Sequence, residues 1–346
     1  RSIILVGAIG DVEAAFDNLV LHTALASGEM KLSSTRSWLG FMGDGDIRPE
    51  DVNPSWQPAA TARWTTVQAI ERLGNLGASA DEIATANLYA GFIHRIMGET
   101  FCAAVFDGGA QMGQEEYFNR ALTHFNAAES GSGDIGVAAK AGAAQTLMNL
   151  GRLSEAAAKA SGVPDDFMWY AYYTDTDQSL FWNETQSSTQ ASVWQTEIAD
   201  LGEDGDPRTP FLIQDRSSAG GDPVYYLQEK YPDKNDDHPL AKGWEMRLIE
   251  AENLLTSGDR AGAMAKVNYV RTSFGMDTKT AATDAEAWEA LRHERLVMLW
   301  LEGRYLAYLK RTNDPFLNGR DSCFPFSDAE INSNPNLTGC SGPACG

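Results

Sequence analysis

The chain has 346 residues, 43% hydrophobic and 10% aromatic, with 27 basic against 48 acidic side chains and a net charge of −21. That balance excludes nucleic acid as a partner, because a phosphate backbone would be repelled, and it disfavours direct docking on an anionic lipid surface. The length suits two average domains or one large one, and no run of about 18 apolar residues is present to span a membrane as a helix.

In chain order, the opening run IILVGAI is short and has no basic segment before it, so no signal peptide is expected within this chain. Helical periodicity then begins near 10–27. A Gly/Asp/Pro-rich loop, GFMGDGDIRPEDVNPSWQP, follows, with Trp38 and Trp56 at its margins. Trp64, in the amphipathic stretch 58–77, reads as core. The segment 80–103 opens with a Ser79–Glu82 capping-box pattern and carries Ile83, Ala86, Ala90, Ile93 and Met97 at helical spacing. Further amphipathic stretches run near 114–130, 135–150, 152–161, 241–257, 259–274 and 284–311. Trp244, Trp288 and Trp300 fall within such patterns and read as core.

Two helical pairs resemble each other. AAQTLMNLGRLSEAAAKA and MRLIEAENLLTSGDRAGAMAKV each place a glycine at a short turn and an alanine five residues on, Gly151 with Ala156 and Gly258 with Ala263. A turn of that kind lets two antiparallel helices approach closely, as in tetratricopeptide repeats. Between the pairs, over 162–240, the period breaks into Pro-, Asp-, Ser- and Thr-rich sequence. The expected fold is therefore all-α, a single domain over 1–346. It is a tetratricopeptide-like helical superhelix with an irregular insertion of loops and short strands.

Four cysteines, Cys102, Cys323, Cys340 and Cys345, allow three pairings, and the last three lie within the final 24 residues. A disulfide among Cys323, Cys340 and Cys345, tying down a tail over 312–346, is favoured over free thiols. Cys102 reads as helix-face core. Zinc is disfavoured, since no finger-type spacing of Cys or His occurs.

Signs of catalysis are weak. GSGDIG (Gly131–Gly136) fits a phosphate-loop pattern, but a helix rather than a strand precedes it. HERLV at His293 has Val297 where a second zinc-binding His would stand, and no Gly-x-Ser-x-Gly elbow occurs. The acidic runs DGDIRPED, GEDGD and PDKNDDH do not match a twelve-residue calcium loop and read as solvated. No enzyme activity and no cofactor are expected.

The aromatics are more informative. FMWYAYYTDTDQSLFW, over 167–182, holds seven aromatic residues in sixteen. Sugars present C–H-rich faces and hydroxyl-rich edges, so a carbohydrate site needs flat aromatic platforms flanked by polar groups. If the stretch is extended, Phe167, Trp169 and Tyr173 share one face while Met168, Tyr170 and Tyr172 share the other. One face would pack and the other could stack a ligand. The candidate ligand-binding residues are Trp38, Trp56, Trp169, Tyr170, Tyr172, Tyr173, Trp182 and Asn183.

Several strings resemble the SusD/RagB family of outer-membrane nutrient-binding lipoproteins, over nearly the whole chain. RLIEAENLLTSGDRAGAMAKVNYVRTSFGM is similar to the family's helix pair, with Glu250, Glu252, Asn268 and Arg271 at matching places. LRHERLVMLWLEGRYLAYLKR carries its Glu-Arg…Glu-Gly helix as Glu294, Arg295, Glu302 and Gly303. CFPFSDAEINSNPNL looks like its terminal motif, at Pro325, Glu330, Asn334, Pro335 and Asn336. In the insertion, DPRTP (Asp206–Pro210) and EKY (Glu229–Tyr231) also match. The chain departs from the pattern at Tyr305 and Tyr308, where an Arg and an Asp are usual, and at Met298, where a Glu is. The resemblance implies a lipid-anchored lid at the extracellular face of the outer membrane, delivering oligosaccharide or another organic nutrient to a TonB-dependent transporter barrel without breaking a bond. The different-class alternative is a helical-repeat or self-assembling scaffold that binds protein only.

Overall fold

The computed structural model describes residues 1–200 and 206–337, the side chains of residues 37 and 38 excepted. The expected all-α architecture is borne out. α1 (Ser2–Ala26) starts well ahead of the stretch near 10–27, and its first turns leave Ile3 and Val6 exposed. β1 (Lys31–Leu32) and α2 (Ser37–Asp44) lead into α3 (Asn53–Asn75), which packs on both α1 and α4 (Ala80–Thr100). The Ser79–Glu82 capping box forms as read, with Ser79 N–H donating to Glu82 (2.7 Å) and Glu82 N–H to Ser79 Oγ (3.2 Å). β2 (Ala103–Ala104) and β3 (Met112–Gly113) make a small antiparallel ribbon before α5 (Glu115–Ala128), α6 (Asp134–Asn149) and α7 (Leu153–Ala160).

Both anticipated helical hairpins form. The turn after α6 has Gly151 at φ +72°, and the turn between α9 (Gly243–Thr256) and α10 (Arg260–Ser273) has Gly258 at φ +85°. In each, the next two N–H groups reach back to the last turn: Gly151 to Met148 O and Arg152 to Leu147 O, Gly258 to Leu255 O and Asp259 to Leu254 O. This is the left-handed helix cap for which glycine is the usual residue. Ala156 and Ala263 are fully buried, which is why their small size matters for the approach of the two helices.

Between α7 and α9 the chain is irregular. It includes β4 (Met168–Ala171), a π-helix at Trp182–Ser187, β5 (Ala191–Ser192), α8 (Glu197–Asp200), β6 (Phe211–Gln214), β7 (Tyr225–Gln228) and β8 (His238–Lys242). Among the described residues every sheet has two strands: β1 with β5, β2 with β3, β4 with β8, and β6 with β7.

The stretch 284–311 is not one helix. α11 (Asp284–Met298) ends, and α12 (Tyr305–Thr312) begins after a turn with Leu301 at φ +57° and Gly303 at φ +73°. The break points Glu302 inward to three cations: Lys230 (2.8 Å), Lys242 (2.5 Å) and Arg304 (2.7 Å). Burial alone would raise its pKa, but these charges hold it down at about 2. Glu294 likewise receives Arg208 and Arg271, and Glu252 receives Arg295 (2.8 Å) and Arg311. The insertion is thus fastened to α9–α12 by buried ion pairs drawn from the strings that carry the family resemblance. Where that resemblance would place an Arg and an Asp, Tyr305 and Tyr308 stack on each other (6.0 Å between ring centres, 20°). α13 (Asp328–Ser333) lies near the end of the described chain.

Two cysteine readings are corrected. Cys102 is not a free core thiol, and Cys323 does not pair within the tail; the two form a disulfide with each other across 221 residues. A parallel bridge of Phe101 with Phe324 brings the two together, with Cys102 N–H donating to Phe324 O (2.9 Å) and Phe324 N–H to Thr100 O (2.8 Å). Cys340 and Cys345 lie outside the described residues.

Candidate functional site

Of residues 167–173 the strand β4 covers Met168–Ala171, and burial follows the alternation only in part. Phe167, Ala171 and Tyr173 are buried and Tyr172 is 54% exposed, but Trp169 is half-buried like Met168 and Tyr170. Tyr170 and Tyr172 stand side by side, 6.3 Å between ring centres. Burial and the nearby Asp237 carboxylate push both hydroxyls above the ordinary tyrosine range, so both stay protonated donors.

The backbone beneath this pair hangs from α1. Glu13 accepts Tyr172 N–H (3.0 Å), and Asp17, one helical turn on, accepts Leu180 N–H through both oxygens (2.9 Å each). Burial raises both carboxyls to about 7, helped by Asp177.

Just beyond Leu180 comes the π-helix, a rare element frequent at functional sites. It carries Trp182, half-buried, and Asn183, exposed. Glu184 beside them takes one nitrogen of Arg36 through both carboxylate oxygens (2.9 Å each), and Asn183 donates to the same carboxylate (3.3 Å). Arg36 directly precedes α2, whose first turn carries Trp38, so the ion pair ties the start of α2 to the π-helix. The side chain of Trp38 lies outside the described residues. Along the same seam, Lys31 sits 4.6 Å from the Trp194 ring centre and bonds Gln195. A cavity of about 430 Å³ adjoins them, lined by Lys31, Gly40, Gln195, Glu197, Arg292 and Tyr305 among others.

Other candidates face inward. Tyr173 is 6% exposed, packs on His238 (4.8 Å) and donates to Glu13 O (3.3 Å); it belongs to the core. Trp169 packs edge-on to Tyr89 (6.3 Å). Trp56, 4% exposed, is wedged between Phe101 (4.7 Å) and Phe326 (5.2 Å), its plane nearly perpendicular to both. Trp64 is the converse correction: read as core, it is 47% exposed. It shares the i, i+4, i+7 stripe of Gln57 and Thr61, a polar face legible in the sequence. Among the described residues no group of three or more His, Cys, Asp and Glu could hold a metal ion.

No family model matches the sequence, and no curated protein matches it. Solved structures do. A SusD superfamily protein from Bacteroides thetaiotaomicron superposes with a TM-score of 0.78 at 15% identity, covering 97% of both chains. Another, from Bacteroides vulgatus, gives 0.76 at 14% identity over 97% of this chain and 96% of that one. A protein from the same species, described as a SusD-like carbohydrate binding protein, gives 0.71 at 14% identity with the same coverage. The chain therefore has the SusD-type fold over nearly its whole length, and the resemblance in its sequence strings is borne out at that level.

Proposed function

We propose that the protein is a non-catalytic nutrient-binding protein of the outer-membrane surface that captures oligosaccharide and passes it to a TonB-dependent transporter barrel. The observation that carries the reading is the near end-to-end likeness to SusD-type structures, one of them described as carbohydrate-binding. The site offers suitable chemistry. Tyr170 and Tyr172 supply adjoining aromatic faces, with Asp237 near their hydroxyls. The seam adds Trp182, Asn183 and the Arg36–Glu184 pair, and Trp38, two residues beyond Arg36 in sequence, belongs to the same proposed site. The ligand has hydroxyls to share and no charge to neutralise, since the local carboxylates already hold backbone or guanidinium partners.

Anchoring by lipid and the absence of a cofactor belong to the same reading. No helix among the described residues is long and apolar enough to cross a membrane. Calorimetric titration with neutral oligosaccharides tests capture, and isolation from the native membrane in mild detergent tests delivery. Saturable binding together with a stoichiometric barrel supports the proposal. Self-assembly without sugar binding would favour the scaffold alternative.

A further inference from the structure

We infer a second carbohydrate-binding groove, apart from the tyrosine pair, between α3, the turn at 105–108 and α13, with Trp64 as its stacking platform. It shares only the ligand class with the function proposed above and uses none of the same residues.

Trp64 is among the few large aromatics the fold leaves exposed, and it borders a concavity of about 440 Å³. That volume lies within the ~300–1,000 Å³ range of small-ligand sites. The floor is apolar: the edge of the buried Trp56, Met97 and Val105. The rim is polar and comes from three separate elements. Gln57 and Thr61 stand on the exposed stripe of α3 that carries Trp64. Asp107 stands on the turn, and Glu330 and Ser333 on α13.

This rim is built rather than incidental. Asp107 occupies the left-handed region, φ +53°, a strained state for a residue with a side chain. The buried guanidinium of Arg63 holds its carboxylate at 2.6 Å and itself lies 5.3 Å from the Phe106 ring centre. The α13 wall is pinned to the same turn, with Asn334 donating to Gly109 O (2.9 Å) and Asn336 to Gly108 O (2.7 Å). The Cys102–Cys323 disulfide closes the base, joining the end of α4 to the segment before α13. Walls fixed in this way lose little entropy when a ligand enters.

The chemistry selects the ligand. Acceptors predominate on the rim, as the carboxylates of Asp107 and Glu330 and the amide and hydroxyl oxygens of Gln57, Thr61 and Ser333. The guanidinium of Arg63 is already paired. Among the described lining residues an anion would meet two carboxylates and no unpaired cation, whereas a neutral sugar ring offers hydroxyl donors to the rim and a C–H face to Trp64. A cationic amine is the competing occupant, through the indole face and the same carboxylates.

The test is fluorine NMR of full-length protein labelled with 5-fluorotryptophan, the Trp64 resonance being assigned from Trp64→Phe. The probes are maltohexaose, xylohexaose, mannohexaose and N-acetyllactosamine, with Nα-acetyl-lysine amide as the cationic control. The expected result is a saturable shift of the Trp64 signal by at least one sugar and none by the lysine derivative. Affinity read from the remaining signals should fall about tenfold in Trp64→Ala. Trp64→Phe should restore part of it. Asp107→Asn, which suits the left-handed backbone, should weaken binding without unfolding the turn. Tyr172→Ala should leave the Trp64 shift unchanged, so this groove and the tyrosine pair succeed or fail separately. A Trp64 signal unmoved by every sugar, or moved by the lysine derivative alone, overturns the inference.

Discussion

The buried junction between the insertion and α9–α12 and the exposed aromatic face of the same insertion are built on opposite principles. The junction is charged, buried and rich in recognisable strings: Arg208, itself held by Asp206, meets Glu294 of α11, and Lys230 meets Glu302 in the break before α12. Among the described residues the aromatic face has no ion pair of its own and no pattern beyond alternation, with the Asp237 carboxylate near the Tyr170 and Tyr172 hydroxyls. The strings bearing the family resemblance therefore specify how the insertion is attached, not what it holds. A buried charge without its partner costs several kcal/mol, so partner residues constrain each other strongly. An exposed tyrosine has no such partner, and its face is free to differ between proteins of one fold.

The largest expected effect follows at the junction. Glu302→Ala leaves Lys242 and Arg304 buried without their common anion, so urea unfolding should show a loss of about 3–5 kcal/mol. The same carboxylate sets an acid limit. Its pKa falls from an ordinary 4.5 to about 2 in the fold, so its contribution is present above pH 4.5 and lost as pH drops towards 2. A loss under about 1 kcal/mol would mean that the junction is wet and the contrast overstated.

Second in size is the covalent link. Cys102→Ser removes a bond closing a very long loop and should cost about 2–5 kcal/mol, read as a shift of the unfolding midpoint that reductant reproduces in the parent. Reductant without effect on the parent would deny the link.

Much of the helical frame was legible in the sequence, for a local reason. The Gly151 and Gly258 turns, the buried Ala156 and Ala263, and the Ser79–Glu82 cap are settled by residues within a few positions of one another. The contrast of exposed Tyr172 with buried Phe167 and Tyr173 was legible too, because an extended chain has a period of two, although Trp169 is half-buried like Met168 and Tyr170. What failed was non-local. Cys102 meets Cys323 only because Phe101 pairs with Phe324 across the whole chain, and no spacing rule encodes that. Periodicity carried 284–311 through as one helix, since the need to turn Glu302 onto Lys230 and Lys242 arises from distant lysines. Trp64 was misassigned on hydrophobicity, although the Gln57–Thr61–Trp64 stripe marked its face as polar. Of the candidate rings, the sequence could separate Tyr172 from Tyr173 but could not show Trp56 to be enclosed by Phe101 and Phe326.

A pH experiment probes how the aromatic face is hung. Glu13 and Asp17 have folded pKa values of about 7 against ordinary values of 4.5 and 3.8, with burial as the main cause. Between those limits the folded chain keeps protons that the unfolded chain releases. Their contribution to stability is therefore full below pH 3.8 and declines as pH rises to about 7. Glu13→Gln and Asp17→Asn keep an oxygen acceptor for Tyr172 N–H and Leu180 N–H while removing the titration. Each variant should gain stability relative to the parent between pH 5 and pH 8, measured as the difference of urea midpoints. Parallel curves would show that these carboxyls are solvated and that the insertion is not fastened through them.

The smallest effect on stability belongs to the face itself, and it separates neighbours in sequence. Tyr172→Ala removes a ring that is 54% exposed, so stability should change by no more than about 0.5 kcal/mol. Oligosaccharide affinity measured by calorimetry should nevertheless fall severalfold, because the exposed part of the ring is the part offered to ligand. Tyr173→Ala, one residue on, deletes a buried ring and its hydrogen bond to Glu13 O, at a cost of about 3–5 kcal/mol. Whatever binding Tyr173→Ala loses should then be recoverable at temperatures where the variant is folded. If the two variants instead behaved alike, losing stability together with binding intact, the alternation of Tyr172 and Tyr173 just after β4 would be only a way of packing the insertion, and the ligand would have to be sought along the Arg36–Glu184 seam.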